Sequence, residues 1–258
     1  MCARKPKKFV LFLVTLLGFS TISLGIGKST SELKYSDLLE VDSIRLEAKS
    51  NFSDYVSDLY TELGDTSLLF AAFERAMTGY HNLEKFQKIR RKDIITVIDF
   101  SKPSNQERLF IIDLCNRKIL HKSVVAHGVN SGGLYATKFS NDQDSHQSSL
   151  GFYLTSSTYS GKFDLALRLE GLEYSNSHAN SRGVVLHAAK YATYEFLESN
   201  GGVLGRSYGC PAMPYTYFHQ VVEWIKEGSC LYIYHPSRSY ARNSRYLNRV
   251  NYLEDFIW

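Results

Sequence analysis

The spacing of apolar residues changes character twice along the chain and divides it into three parts. Phe9 to Ile26 is almost wholly apolar, interrupted only by Thr15, Ser20, Thr21, Ser23 and glycines. Between 31 and 90 apolar positions return at helical intervals, as in Leu59 and Leu63, then Leu68, Leu69, Ala72, Phe73, Ala76 and Tyr80. Gly64, Asp65 and Thr66 interrupt that period and predict a break between two helices; Gly79 and the charged run Lys88 to Asp93 close the section.

From Ile94 the period shortens. Ile94 to Phe100, Arg108 to Leu114, Lys118 to Val125, Leu150 to Thr155, Leu165 to Leu169, Val184 to His187 and Cys230 to Tyr234 are short runs rich in β-branched and aromatic residues. Turn-forming Gly, Asn, Pro and Ser separate them, which favours an antiparallel sandwich or barrel over a doubly wound sheet. Asn116, in C-N-R-K between two such runs, predicts a hairpin turn. Tyr217 to Lys226 is the one clear helix of this half, with Val221, Val222, Trp224 and Ile225 on its apolar side. The expected fold is α+β and mostly β, with N-terminal helices and a short C-terminal helix. Its expected parts are a leader over 1–27, a helical segment over 28–93, a strand-rich domain over 94–236 and a basic, aromatic tail over 237–258.

In that tail Arg238, Arg242, Arg245 and Arg249 fall close to one helical face ahead of Phe256 to Trp258. The pattern fits contact with an anionic surface, such as a membrane or the wall polymer, or a solvated helix docking its aromatic end on the domain; docking is the preferred reading.

Charge alters the picture only at the N-terminus. Of 30 Lys and Arg residues, Arg4, Lys5, Lys7 and Lys8 lie within residues 1–27, which hold no acid, so 30 − 4 = 26 bases face 26 acids beyond. The remainder is neutral, and nucleic acid is not expected as a partner. A basic cluster followed by an apolar run reads as an export signal, either cleaved near Ser23 and Gly25 or retained as a membrane anchor. The domain is therefore expected outside the cytoplasm, in the periplasm or cell envelope.

Four cysteines occur, and Cys2 lies in the leader, leaving Cys115, Cys210 and Cys230. An odd number in an exported chain implies at least one thiol that is free or pairs with another chain, and catalysis would explain it. Cys115 and Cys230 both lie in strand-like runs; buried thiols are preferred there over a disulfide between them.

Cys210 sits in Gly205-Arg206-Ser207-Tyr208-Gly209-Cys210-Pro211-Ala212, where small residues give a nucleophile access and nearby amide donors. A free thiol of pKa about 8.5 is only slightly ionised at neutral pH, so it needs a base. His187, ending the run Gly183 to Leu186, is the expected base if the loop over 188–209 folds back. His127, in V-A-H-G, is a second candidate, for orienting substrate or the other histidine, or for a structural hydrogen bond. No histidine or cysteine spacing matches a zinc site, and no metal or other cofactor is expected.

With these segments in place, the sequence resembles the L,D-transpeptidase catalytic-domain family, the YkuD-like group, and particularly its murein L,D-transpeptidase branch. The resemblance covers about residues 60–236. It rests on D-F-S-K-P-S at 99–104, V-A-H-G-V-N-S-G at 125–132, F-S-N at 139–141 and S-S-L-G-F-Y-L-T at 148–155. It continues through L-R-L-E-G-L-E at 167–173, V-V-L-H-A-A at 184–189 and G-R-S-Y-G-C-P-A at 205–212. The resemblance implies a cysteine that attacks the peptide bond after the third residue of a peptidoglycan stem peptide, then passes the acyl group to an amine or to water. On matching positions it implies Cys210 as nucleophile, His187 as base, Ser207, Tyr208 and Gly209 as the oxyanion loop, and Arg206 as a carboxylate-binding or loop-fixing residue. Tyr208 stands where the family often has histidine, and Ala188 where glycine is common. A transpeptidase is the first expectation, an L,D-carboxypeptidase the nearest alternative, and a non-catalytic wall-binding protein the third.

Overall fold

The structure, a computed structural model, describes residues 35–161 and 164–257. The expected export signal lies outside the described residues. Among the described residues, no helix is long and apolar enough to cross a membrane.

Two compact units emerge. One joins α1 (Tyr35–Leu63) as far as Tyr55 to the residues from Leu253 onward; the other is Val56–Tyr252. Within the first, the Phe256 ring meets Phe52 edge-on at 5.1 Å and its carbonyl accepts from Asn51 Nδ2 at 2.8 Å.

The larger unit is built on one eight-stranded sheet. The strands are β1 (Ile94–Asp99), β2 (Leu109–Asp113), β3 (Lys118–Ser123), β4 (Gly151–Gly161), β5 (Asp164–Gly171), β6 (Val185–Ala188), β7 (Ala212–Met213) and β8 (Cys230–Tyr234). Their order is β3-β2-β1-β8-β4-β5-β6-β7. Ala126 bridges to Ala212 and Gly128 to Ser207, so the chain beyond β3 meets the far edge and the sheet curls into a nearly closed barrel. The expected strand-rich fold is present, with one change: β1 and β8 run parallel, as do β6 and β7, so the sheet is mixed.

All residues of β1 and β8 are buried, which is why both read as unbroken apolar runs instead of alternating ones. Helix α2 (Phe70–Lys85) covers β1 and β8 with Ala72, Phe73, Ala76, Met77, Tyr80 and Leu83. Gly79 abuts the Phe152 ring so closely that a Cβ would lie 1.9 Å from it. Helix α4 (Phe218–Ile225) packs Phe218, Val221, Val222 and Ile225 inward and meets β1. Each such side chain contributes roughly 1.5–3 kcal/mol of hydrophobic stabilisation.

Gly64 and Asp65 separate α1 from α2 as expected, Asp65 Oδ1 accepting from Ser67 N at 2.8 Å. The turn at Asn116 is also present, held by Asp113 Oδ1 on the amides of Cys115 and Asn116. Cys115 thus lies in a turn, not a strand, and it is disulfide-bonded, whereas Cys230 is free and buried in β8. The preference for two buried thiols is corrected at Cys115, and the two do not pair with each other.

The tail up to Tyr252 belongs to the larger unit. Ser237 caps α5 (Arg238–Asn243) by accepting from Tyr240 N at 3.2 Å. Tyr240 Oη (2.7 Å) and Ser244 Oγ donate to the buried Glu173 carboxylate, which also takes Phe152 N–H at 2.9 Å. Burial raises the Glu173 pKa; these hydrogen bonds oppose the rise. The four tail arginines do not share one helix, because α5 ends at Asn243. Arg245 lies over the Tyr246 ring at 4.7 Å and Arg249 over Phe86 at 4.6 Å.

Candidate active site

The barrel closes at β7, whose other neighbour is β6; His187 lies on β6 and Cys210 just before β7. The parallel register of the two strands sets His187 beside Ala212, two residues after Cys210. The half-buried Cys210 sulfur receives the Val185 amide at 3.5 Å and points its own hydrogen at Gly183 O, 3.7 Å away. Val185 precedes His187 by two positions, so both side chains leave the same face of β6, on the order of 7 Å apart along the strand. The thiol rests against the backbone of Gly183 and Val185, at the start of the strand that bears His187.

His187 is 1% exposed, and its Nδ1 lies 3.0 Å from the Ala188 carbonyl. A carbonyl only accepts, so Nδ1 carries the proton and Nε2 keeps its lone pair. Tyr191 Oη approaches that Nε2 at 3.5 Å. Burial lowers the His187 pKa, and the Ala188 carbonyl partly restores it. Burial likewise pushes the Cys210 thiol up, against the Val185 amide and the charge of Arg182. The resting pair is therefore neutral thiol and neutral imidazole at pH 7.

The turn before Cys210 is fixed from several sides. Ser207 Oγ donates to Cys210 O at 2.5 Å and accepts from Gly209 N at 3.1 Å, while Ser148 Oγ donates to Gly209 O at 3.0 Å. Gly209 has φ +121°, and a Cβ there would meet Gln147 O at 2.9 Å, so only glycine fits without strain. The Gly209 amide is thus spent on Ser207, and Pro211 has none. Among the described residues, the amides of Tyr208 and Cys210 have no acceptor. Tyr208 is 76% exposed, and its ring stacks on His146 at 4.4 Å.

His127 has a different setting from the one a substrate-binding residue needs. It is fully buried, with both ring nitrogens engaged: Nδ1 accepts from Arg108 Nη2 at 2.8 Å and Nε2 faces Gly132 O at 3.3 Å. Burial, with the adjacent Arg108 charge, brings its pKa to about 4. Arg108 itself is fully buried and donates to Val125 O and Lys102 O. Burial presses its pKa down to about 9 against the pull of Asp99, so it stays charged at neutral pH. Arg206 is exposed and uses Nη1 on Gly132 O at 3.2 Å, leaving the rest of its fork toward solvent.

Two contributors carried no clear signal in the sequence. Arg182 Nη1 donates to Ser140 O (2.9 Å) and Ser149 Oγ (2.6 Å), and Nη2 to Gln147 O (2.6 Å) and Ser145 Oγ (3.2 Å). It ties the chain before β6 to the 140–149 loop beside Gly209. Tyr191 joins the site from the crossover after β6; its place in K-Y-A-T-Y showed no periodicity. Among the described residues no group of three or more His, Cys, Asp or Glu is placed to hold a metal ion.

Residues 65–234 match the family described as "L,D-transpeptidase catalytic domain". A comparison with curated proteins returned no match. Among solved structures, an L,D-transpeptidase from Mycobacterium smegmatis aligns at 11% identity and TM-score 0.34, covering 55% of this chain and 59% of that one. L,D-transpeptidase 3 from Mycobacterium tuberculosis aligns at 11% identity and TM-score 0.35, over 55% and 61%. An L,D-transpeptidase from Xylanimonas cellulosilytica gives 10% and 0.33, over 55% and 60%. The chain thus spans about three fifths of each of these structures.

Proposed function

Because the chain belongs to the L,D-transpeptidase catalytic domain family, we propose that it transfers peptidoglycan stem peptides in the cell envelope, with Cys210 as nucleophile and His187 Nε2 as base. The observation that carries this reading is the placement of a half-buried thiol, in the turn that enters β7, next to the strand β6 that bears an imidazole with a lone pair on Nε2.

Rotation of the Cys210 side chain away from Gly183 brings the sulfur toward His187. Its proton passes to Nε2 as the sulfur attacks the carbonyl carbon of the third stem residue. The Ala188 carbonyl holds the ring and stabilises the imidazolium that forms, as an acceptor behind a catalytic histidine does. The amides of Tyr208 and Cys210 bind the tetrahedral oxygen. Collapse expels the terminal D-amino acid, protonated by the imidazolium, and leaves a thioester. An incoming amine, deprotonated by Nε2, then releases the acyl group as a new peptide bond. The solvent-facing part of the Arg206 fork suits the substrate carboxylate.

Because thiol and imidazole are both neutral at rest, proton transfer is coupled to attack and the thiol is protected from adventitious oxidation. Incubation with a carbapenem, followed by intact-mass measurement, is expected to give a single adduct on the wild type and none on Cys210→Ser. Absence of the wild-type adduct would overturn the assignment of Cys210. Tetrapeptide muropeptides are expected to yield cross-linked dimers; tripeptides alone would replace the amine acceptor by water.

A further inference from the structure

A cleft of about 890 Å³ opens between β3, the start of α3 (Tyr194–Ser199) and α4. Strand β3 ends the sheet order, and the stretch Ile119 to Ser123 forms one wall. The other walls carry Tyr194, Tyr215, Tyr217 and Trp224, with the three tyrosines 43%, 50% and 59% exposed.

Exposed aromatic rings gathered in one concavity are unusual for a monomer's surface. Here they alternate with hydrogen-bonding groups: Gln220 and the ion pair of Lys122 with Asp65 at 2.9 Å. Tyr217 holds a left-handed backbone at φ +65°, a strained conformation for a non-glycine residue, and its ring leans on His121 at 5.4 Å. Nε2 of His121 has no hydrogen-bond partner among the described residues.

We infer that this cleft is a saccharide subsite that seats the glycan strand of the wall polymer while Cys210 works on the attached stem. Flat apolar rings interspersed with amide, carboxylate and ammonium groups match the alternating faces of a pyranose, apolar C–H above and below, hydroxyls around the rim. An aliphatic peptide would have little use for four aromatic faces. The Tyr191 hydroxyl meets His187 Nε2 at 3.5 Å, and Tyr215 of the cleft lies five residues along the chain from Cys210. The saccharide chemistry stands on the lining alone; the identity of the polymer rests on the acyl-transfer reading.

Saturation-transfer NMR on the full chain with a β-1,4-linked N-acetylglucosamine tetramer tests this. Wild type is expected to transfer saturation to the sugar ring protons. Tyr217→Ala and Trp224→Ala are each expected to weaken binding about tenfold or more, and Tyr217→Phe to retain it, at unchanged melting temperature and unchanged carbapenem acylation. No transfer in the wild type, unaltered binding by both alanine variants, or competition by a sugar-free stem peptide for the same cleft would overturn the inference. Loss of carbapenem labelling with sugar binding intact would instead refute the role of Cys210 and leave the subsite standing.

Discussion

Replacing Gly209 by alanine tests the geometry beside Cys210 directly. At φ +121° a side chain costs about 1–3 kcal/mol in backbone strain. The added Cβ would also lie 2.9 Å from Gln147 O, against 3.4 Å for ordinary contact, so 3.4 − 2.9 = 0.5 Å of movement is needed. Gln147 is held by Arg182 and the Gly209 carbonyl by Ser148, so the turn has little room to yield except by tilting the Tyr208 and Cys210 amides. Misplacement of a reacting group by 1 Å costs on the order of 10²-fold in rate, so half that distance predicts about a tenfold loss. Carbapenem acylation followed by intact mass measures the loss, and thermal melting measures the strain. Gly201→Ala is the control: φ is +63° with nothing within 4 Å of a Cβ, so it costs about 1 kcal/mol of stability and no acylation rate. Equal acylation rates for Gly209→Ala and wild type would refute the reasoning.

Arg108→Met leaves the Val125 and Lys102 carbonyls and His127 Nδ1 without that donor, and leaves Asp99 with Lys102 as its remaining nearby cation; chemical denaturation is expected to show a loss of about 3–5 kcal/mol. Arg182→Gln removes a cation that favours the thiolate, so the pH midpoint of iodoacetamide alkylation at Cys210 is expected to rise, and an unchanged midpoint would argue against that role. For Asp65, burial is outweighed by hydrogen bonds from Ser67 and Lys122, giving a pKa of about 2. A depressed acid contributes stability above its unfolded value of about 3.9 and loses it as pH falls toward 2. Asp65→Asn should therefore flatten the acid side of a melting-temperature profile, by under about 1 kcal/mol since the pair is partly solvated. His187, lowered by burial, stays a neutral base below the ordinary value of about 6.5, so the acid limb of acylation should fall below that pH; a limb at or above it would contradict the buried ring.

The sequence made much of this scaffold legible. Seven of the eight strands and the α1–α2 break follow from apolar runs and turn residues, because burial is written into local composition. Strand β7 escapes that logic: Ala212 and Met213 are too short a run to show a period, and they pair only because the barrel closes there. Helix α3 escapes too, since none of its residues is fully buried and its six residues, with Leu197 packed on the cluster of Val124 and Ala126, are too few to show a period. Parallel pairing of β1 with β8 joins residues more than a hundred positions apart, which local pattern cannot encode. At the candidate site, Cys210 and His187 stood out through their settings. Arg182 and Ser148 did not, because their roles are hydrogen bonds to loops distant in sequence. His127 looked like a site residue for the same reason as His187, an apolar run ending in histidine and a small residue. Both rings are buried, and what separates them is the Arg108 guanidinium on Nδ1 of His127.

The location of Cys230 gives the protein a native gauge of its own opening. This thiol is fully enclosed in β8, which is flanked by β1 on one side and β4 on the other, and burial drives its pKa far up. A maleimide added at neutral pH reaches it only when the middle of the sheet parts. The slow appearance of a modified peptide containing Cys230 therefore times whole-domain excursions from the native state, with no probe engineered into the chain.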